Sequence, residues 1–129
     1  VKHAFETLVE AGYNPLLAYW EVHHELHGLI APLAYKYGNV GMLNRVSLTA
    51  RKGAIATGKR VMDSHVKENM KDSLKDIQSG KFAKDWMDEY KEFGFSKLDA
   101  EIAELKQHDL ETVGLQTRKI MWPDADKHE

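Results

Sequence analysis

The chain has 129 residues, of which 43% are hydrophobic and 29% charged, and its formal net charge is -2. That length and mixture describe one ordinary globular domain, long enough to bury a core. The near-neutral balance gives no electrostatic reason to expect nucleic acid or an anionic membrane as partner, and the lack of cysteine excludes disulfides, thiolate metal sites and cysteine nucleophiles.

The chain opens without methionine and without a capping residue, and Val1, Phe5, Leu8 and Val9 already follow helical spacing. The expectation is a helix over residues 1–11 from which an upstream neighbour has been removed. Val1, Phe5 and Leu8 would then be exposed apolar surface that drives self-association. Gly12 stops this helix, and Asn14 followed by Pro15 predicts an N-cap and first helical position. A second helix is predicted from Pro15 to Tyr37, with Pro32 kinking or interrupting it and Gly38 closing it. A short helical piece follows around Met42 to Arg51, and the Gly53 to Gly58 stretch is predicted to be a loop.

A long helix is predicted from Asp63 to Ser79, with Val66, Met70, Leu74 and Ile77 as its buried stripe and Gly80 as its end. Lys81 to Phe93 carries Phe82, Trp86, Met87 and Tyr90 at helical spacing. Ser96 to His108 is amphipathic through Leu98, Ile102 and Leu105, and Leu110 to Met121 completes the helices before Trp122-Pro123. Asp124 to Glu129 is a polar tail, predicted to fray. No strand alternation persists, so the fold class is all-α. No stretch approaches the roughly 18 apolar residues of a membrane span, and a cytoplasmic location is expected.

Chemistry concentrates in Ala18-Tyr19-Trp20-Glu21-Val22-His23-His24-Glu25-Leu26-His27. Glu21 and Glu25 are four apart, so on a helix their carboxylates share a face and repel. A cation between them reverses the sign of that interaction, and hard oxygen ligands suit Mg²⁺ or Mn²⁺. The alternative is a solvated acidic face. His23, His24 and His27 with Glu21 give a second candidate, a transition-metal site, set against plain surface histidines. The pattern falls one residue short of His-Glu-x-x-His. Ser47 and Thr49 either bind a substrate or cap a helix. Arg45, Arg51, Lys52, Lys59 and Arg60 form a basic cluster that meets a phosphate or is simply solvated. Trp20, Trp86 and Trp122 read as core or interface anchors.

Several segments together resemble one family. Phe5-Glu6-Thr7-Leu8-Val9-Glu10-Ala11-Gly12-Tyr13-x-Pro15, Ala18-Tyr19-x-Glu21 and His24-Glu25-Leu26 are similar to the C-terminal domain of ketol-acid reductoisomerases. The resemblance continues through Ser47-x-Thr49-Ala50, Gly58-x-Arg60-Val61, Ile77 to Trp86, Glu111-Thr112-Val113-Gly114 and Met121-Trp122, and its wording is nearest to archaeal short-form members. It implies a knotted helical bundle of the type also found at the C-terminus of 6-phosphogluconate dehydrogenase.

The resemblance also implies a role in branched-chain amino-acid synthesis. The reaction is an alkyl shift in 2-acetolactate or 2-aceto-2-hydroxybutyrate followed by reduction with NADPH, and the family uses two Mg²⁺ ions. By position, Glu21 and Glu25 match metal-site glutamates, Glu25 is also the residue for proton handling, and Ser47 matches a substrate-contacting serine. The three face the partner subunit's active site in such enzymes, so a homodimer is implied. The family's other metal carboxylates lie upstream, and NADPH is held by an N-terminal domain. The isolated chain is therefore expected to be inactive, and the alternative is a non-catalytic dimerisation module. Leu48, Arg51-Lys52 and His27-Gly28 depart from the family pattern beside the expected site.

Overall fold

The computed structural model describes residues 1–124, and every regular element among them is helical. The polar tail expected from Asp124 onward lies, from Ala125, outside the described residues. The chain divides into two units, one made of Val1–Met42 with the chain from Ala100 onward, the other of Leu43–Asp99.

In the first unit, α1 (Lys2–Glu10) is followed by α2 (Pro15–Tyr19). Gly12 has φ +89°, a region where a Cβ is strained, which is why the turn falls there. The predicted cap is present: the Asn14 side chain accepts from the Leu16 N–H (2.9 Å) and from Leu17 N–H (3.4 Å), with Pro15 at the first position where its missing N–H costs nothing.

The predicted second helix is continuous past α2 but not uniform. Two π-helical turns, Trp20–His24 and Leu26–Ile30, lead into α3 (Ala31–Leu43). In these turns the Glu25 N–H donates to the Trp20 carbonyl and the Ala31 N–H to the Leu26 carbonyl, each five residues back. Pro32 does not interrupt the helix as predicted; it lies inside α3. Pro32 has no N–H to offer the Gly28 carbonyl and its ring crowds that turn, and the second π-helical turn stands just before it. Gly38, at φ +72° and ψ 170°, breaks α3 where the helix end was predicted.

The core of this unit is Phe5, Ala18 and Tyr19, with Leu8, Val9, Leu110 and Val113 packed against it. The last two come from α8 (Asp109–Met121). Phe5 is only 1% exposed, so it is not the open apolar surface predicted from its place in the first helix. Leu8 is half-buried on the same core, while Val1 remains exposed as predicted. Separation along the chain hid this packing, since the covering residues lie about a hundred positions away. His108 caps α8 by accepting the Leu110 N–H at Nδ1 (3.1 Å), which leaves Nε2 to carry the neutral ring's proton and donate to Glu6 Oε1 (3.1 Å). That bond ties α1 to α8. Glu6 also bonds His3 (3.0 Å), and these histidines, His3 foremost, hold its carboxyl below the ordinary value.

In the second unit, α4 (Leu48–Val61), α5 (Ser64–Gln78) and α6 (Lys81–Phe93) follow in order, and the division between units falls within α7 (Ser96–Lys106). The loop predicted at Gly53 to Gly58 is helix. Ser47 nucleates α4 by accepting the Ala50 N–H (3.1 Å), and Ala50, Ala54 and Ala56 favour helix strongly enough to outweigh two interior glycines at about 1 kcal/mol each. Asp63 caps α5 through the His65 and Val66 N–H groups. Lys81 spans the Ser79-Gly80 joint to Asp76 (3.7 Å).

Of the stripe predicted as buried on α5, only Val66 is half-buried and the rest is not covered. Met70 and Ile77 are each 61% exposed, and Leu74 is exposed with them. On α6, Phe82, Met87, Tyr90 and Phe93 are exposed too, while Trp86 is half-buried. No residue from 43 to 99 is fully buried. The periodicity identified a surface that needs covering, and within this unit nothing covers it.

Candidate functional site

The helix from Tyr19 to Gly28 presents three parallel rows of residues four apart. Tyr19, His23 and His27 form one, Trp20, His24 and Gly28 the next, and Glu21 with Glu25 the third. In an α-helix, residues four apart overshoot a full turn by about 40°. The two π-helical turns lie within this stretch, and residues four apart still share a face of it.

The rings of the first two rows pack on one another. Tyr19 and His23 lie nearly parallel, with ring centroids 4.7 Å apart and planes at 13°. His23 and His27 follow at 4.4 Å, and Nδ1 of His27 donates to the His23 carbonyl (2.7 Å). Trp20 and His24 meet at 4.2 Å, and the His24 ring lies over Gly28, where an added Cβ would be 3.5 Å away. Burial pushes the His23 imidazole below its ordinary value, and the neighbouring His27 adds to this, with Glu111 opposing. The Tyr19, His23, His24 and His27 rings line a cavity of about 290 Å³ with Thr117, Arg118, Met121 and Trp122.

The third row is different. Glu21 and Glu25 are both exposed, and neither has a hydrogen-bond or ion-pair partner among the described residues. Glu21 also borders a cleft of about 380 Å³ with Leu8, Tyr13, Leu17 and Ala18. Two uncommitted carboxylates on one helical row fit a hard divalent cation as part of its ligand set. No group of three or more His, Cys, Asp or Glu is placed to hold a metal among the described residues. The transition-metal site weighed for His23, His24, His27 and Glu21 is therefore not assembled; the imidazoles are engaged with rings and backbone instead.

Ser47, in the second unit, is the N-cap of α4. Its oxygen uses one acceptor site on Ala50 N–H (3.1 Å), and the hydroxyl proton stays available. Capping and ligand contact are thus compatible. Of the basic cluster, Arg51 donates through Nε to the Leu43 carbonyl (2.7 Å), anchoring the turn that precedes α4.

Sequence reasoning missed the seat beneath Tyr19. A Cβ on Gly114 of α8 would lie 2.7 Å from Tyr19 Cε2, so only glycine admits the ring there. One turn on, Thr117 is buried and donates to the Val113 carbonyl (3.1 Å). Arg118 pairs with Glu111 (3.3 Å), and although burial opposes its charge, Tyr19 and Glu111 hold its guanidinium above the ordinary value. The available signal was the i, i+4 run of Tyr19, His23 and His27, together with a glycine inside the α8 pattern.

A family model described as the ketol-acid reductoisomerase C-terminal domain matches residues 1–122. The chain belongs to that family. The chain is 51% identical over 125 residues to a ketol-acid reductoisomerase (NADP⁺) of Cenarchaeum symbiosum, covering 97% of this chain and 37% of the relative. A counterpart from Nitrosopumilus maritimus is 50% identical with the same coverage. The solved structure of an NADH-preferring ketol-acid reductoisomerase from an uncultured archaeon superposes with a TM-score of 0.87 at 42% identity, covering 92% of this chain and 35% of that one. The chain thus spans little more than a third of the length of these relatives, and within that span the all-α expectation holds. No helix among the described residues is long and apolar enough to cross a membrane.

Proposed function

We propose that this chain serves as the C-terminal part of a ketol-acid reductoisomerase of branched-chain amino-acid biosynthesis, and that Glu21 and Glu25 supply carboxylates to its Mg²⁺ site. The observation that carries this reading is the uncommitted Glu21–Glu25 row in a chain of this family. When bound, Mg²⁺ polarises the oxygens of a 2-acetohydroxy acid such as 2-acetolactate, favouring alkyl migration. The chain's own residues hold and orient. Glu21 and Glu25 fix the cation, a carboxylate oxygen of Glu25 handles the substrate proton, and the Ser47 hydroxyl donates to substrate while its oxygen keeps the cap on α4. Reduction by NADPH is assigned to the part of the relatives that this chain does not span, so the chain alone gives no turnover with 2-acetolactate and NADPH.

A second copy is the proposed partner. Met70, Leu74, Ile77 and Phe82 leave apolar surface open along α5 and α6, and burying such surface is the main driving force of obligate association. Calorimetric titration with Mg²⁺ tests the metal assignment. Heat of binding that disappears in Glu21→Gln/Glu25→Gln is expected, and binding that persists in the double variant overturns it.

A further inference from the structure

We infer that Tyr19 is a positioning residue for the Glu21–Glu25 pair, acting through a ring stack anchored on Gly114. The inference rests on the metal reading above and asks what aims the two carboxylates. Glu21 and Glu25 have no side-chain partner to fix them, so their direction depends on how the helix is rotated and how wide it is. Rotation is set two residues earlier. Tyr19 is 3% exposed and sits in a notch that only glycine leaves open, with Gly114 so close that a Cβ would come within 2.7 Å of the ring. Val113 packs on the same core, and Arg118 reaches the same Gly114 position as the ring.

Width is set by what stands on that ring. His23 stacks on Tyr19 at 13°, and His27 meets His23 and donates to its carbonyl, taking an acceptor of the helix backbone. Residues four apart lie on one helix face close enough for their rings to meet, so His23 and His27, standing on Tyr19, restrain the helix that carries Glu21 and Glu25. Glu21 and Glu25 have the same spacing on the neighbouring row of that helix. The ring stack and the carboxylate row are therefore carried by one helix, and the seat of Tyr19 on Gly114 fixes its rotation.

The test uses the full chain. Mg²⁺ titration is run on wild type, Tyr19→Phe, Tyr19→Leu and His23→Leu, with far-ultraviolet circular dichroism and thermal melting on each. Tyr19→Phe keeps the ring and is expected to bind within about twofold of wild type. Tyr19→Leu is expected to weaken Mg²⁺ at least tenfold. His23→Leu, which removes the stack but not the core, is expected to weaken it several-fold with an unchanged melt, and so decides the matter if Tyr19→Leu fails to fold. A purely structural Tyr19 would move the melt and leave the affinity of the folded stack variants within twofold, which overturns the inference. If wild type shows no Glu-dependent Mg²⁺ heat, the metal reading falls, and amide NMR shifts decide the positioning. Shifts in His23→Leu that extend through Glu21 and Glu25 to Ile30 uphold it, and shifts confined to the neighbours of residue 23 overturn it.

Discussion

The two units of this chain solve the problem of apolar surface in opposite ways. In the first, Phe5, Ala18 and Tyr19 from the N-terminal helices meet Leu110 and Val113 of α8 and form a core. In the second, α5 and α6 carry as pronounced an apolar pattern, yet Met70, Leu74, Ile77 and Phe82 remain open and no residue is fully buried. The first unit can therefore draw its stability from its own contacts. The second has well-capped helices whose stability waits on a covering surface, since helices of this length draw most of their stability from packing.

The sharpest way to break this comparison is at Phe5. Phe5→Ala removes a side chain that is 1% exposed and is expected to cost the first unit about 3–5 kcal/mol, read as a lower denaturant midpoint. A loss below about 1 kcal/mol would mean that the first unit has no better core than the second. Leu74→Ala should behave differently. In a monomer it is expected to change unfolding by less than about 0.5 kcal/mol, because an exposed side chain buries little on folding. At micromolar concentration, Leu74→Ala with Ile77→Ala is expected to shift sedimentation from an associated toward a monomeric species. Unchanged sedimentation would show that α5 is not the face a second copy covers.

These contrasts also explain what could be read from the sequence. Asn14-Pro15, Ser47 as a capping candidate, and the ends of α5 and α6 were legible because a cap is written within a few residues. The Glu21–Glu25 pair was legible from its spacing alone. The burial of Phe5 and the seat of Tyr19 on Gly114 were not, because each depends on contacts about a hundred residues distant. The π-helical widening was hidden for a related reason: Pro32 announces a disturbance but not whether the helix breaks or widens. At Gly53 and Gly58 the error was one of weight, since glycine weakens a helix without ending it.

That last point gives a smaller test. A Cβ at Gly53 or Gly58 meets nothing within 4 Å, and both lie inside α4 without positive φ. Gly53→Ala and Gly58→Ala are each expected to raise stability by up to about 1 kcal/mol, seen as greater helicity and a higher melting temperature. A decrease would mean that a covering partner already approaches that backbone closely.

The smallest expected effect probes how the first unit is held together. Glu6 of α1 is bonded by His3 and by His108, and those bonds hold its carboxyl below the ordinary value of 4.5. A carboxyl with a depressed folded-state pKa contributes stability that is fully present above its unfolded value and is lost as pH falls through the folded one. The contribution of Glu6 is therefore complete above pH 4.5 and is lost as the pH falls through its lower folded-state value. Glu6→Gln should melt lower than the wild type at pH 6, and the gap should close as the solution is acidified through the lowered folded-state value. His108→Asn keeps a capping acceptor for Leu110 but shortens the reach to Glu6, so it should reproduce part of the same pH-dependent gap. A gap that stays constant from pH 6 to pH 3 would mean that Glu6 contributes through packing rather than charge. The junction of α1 and α8 would then rest on the Phe5 core alone.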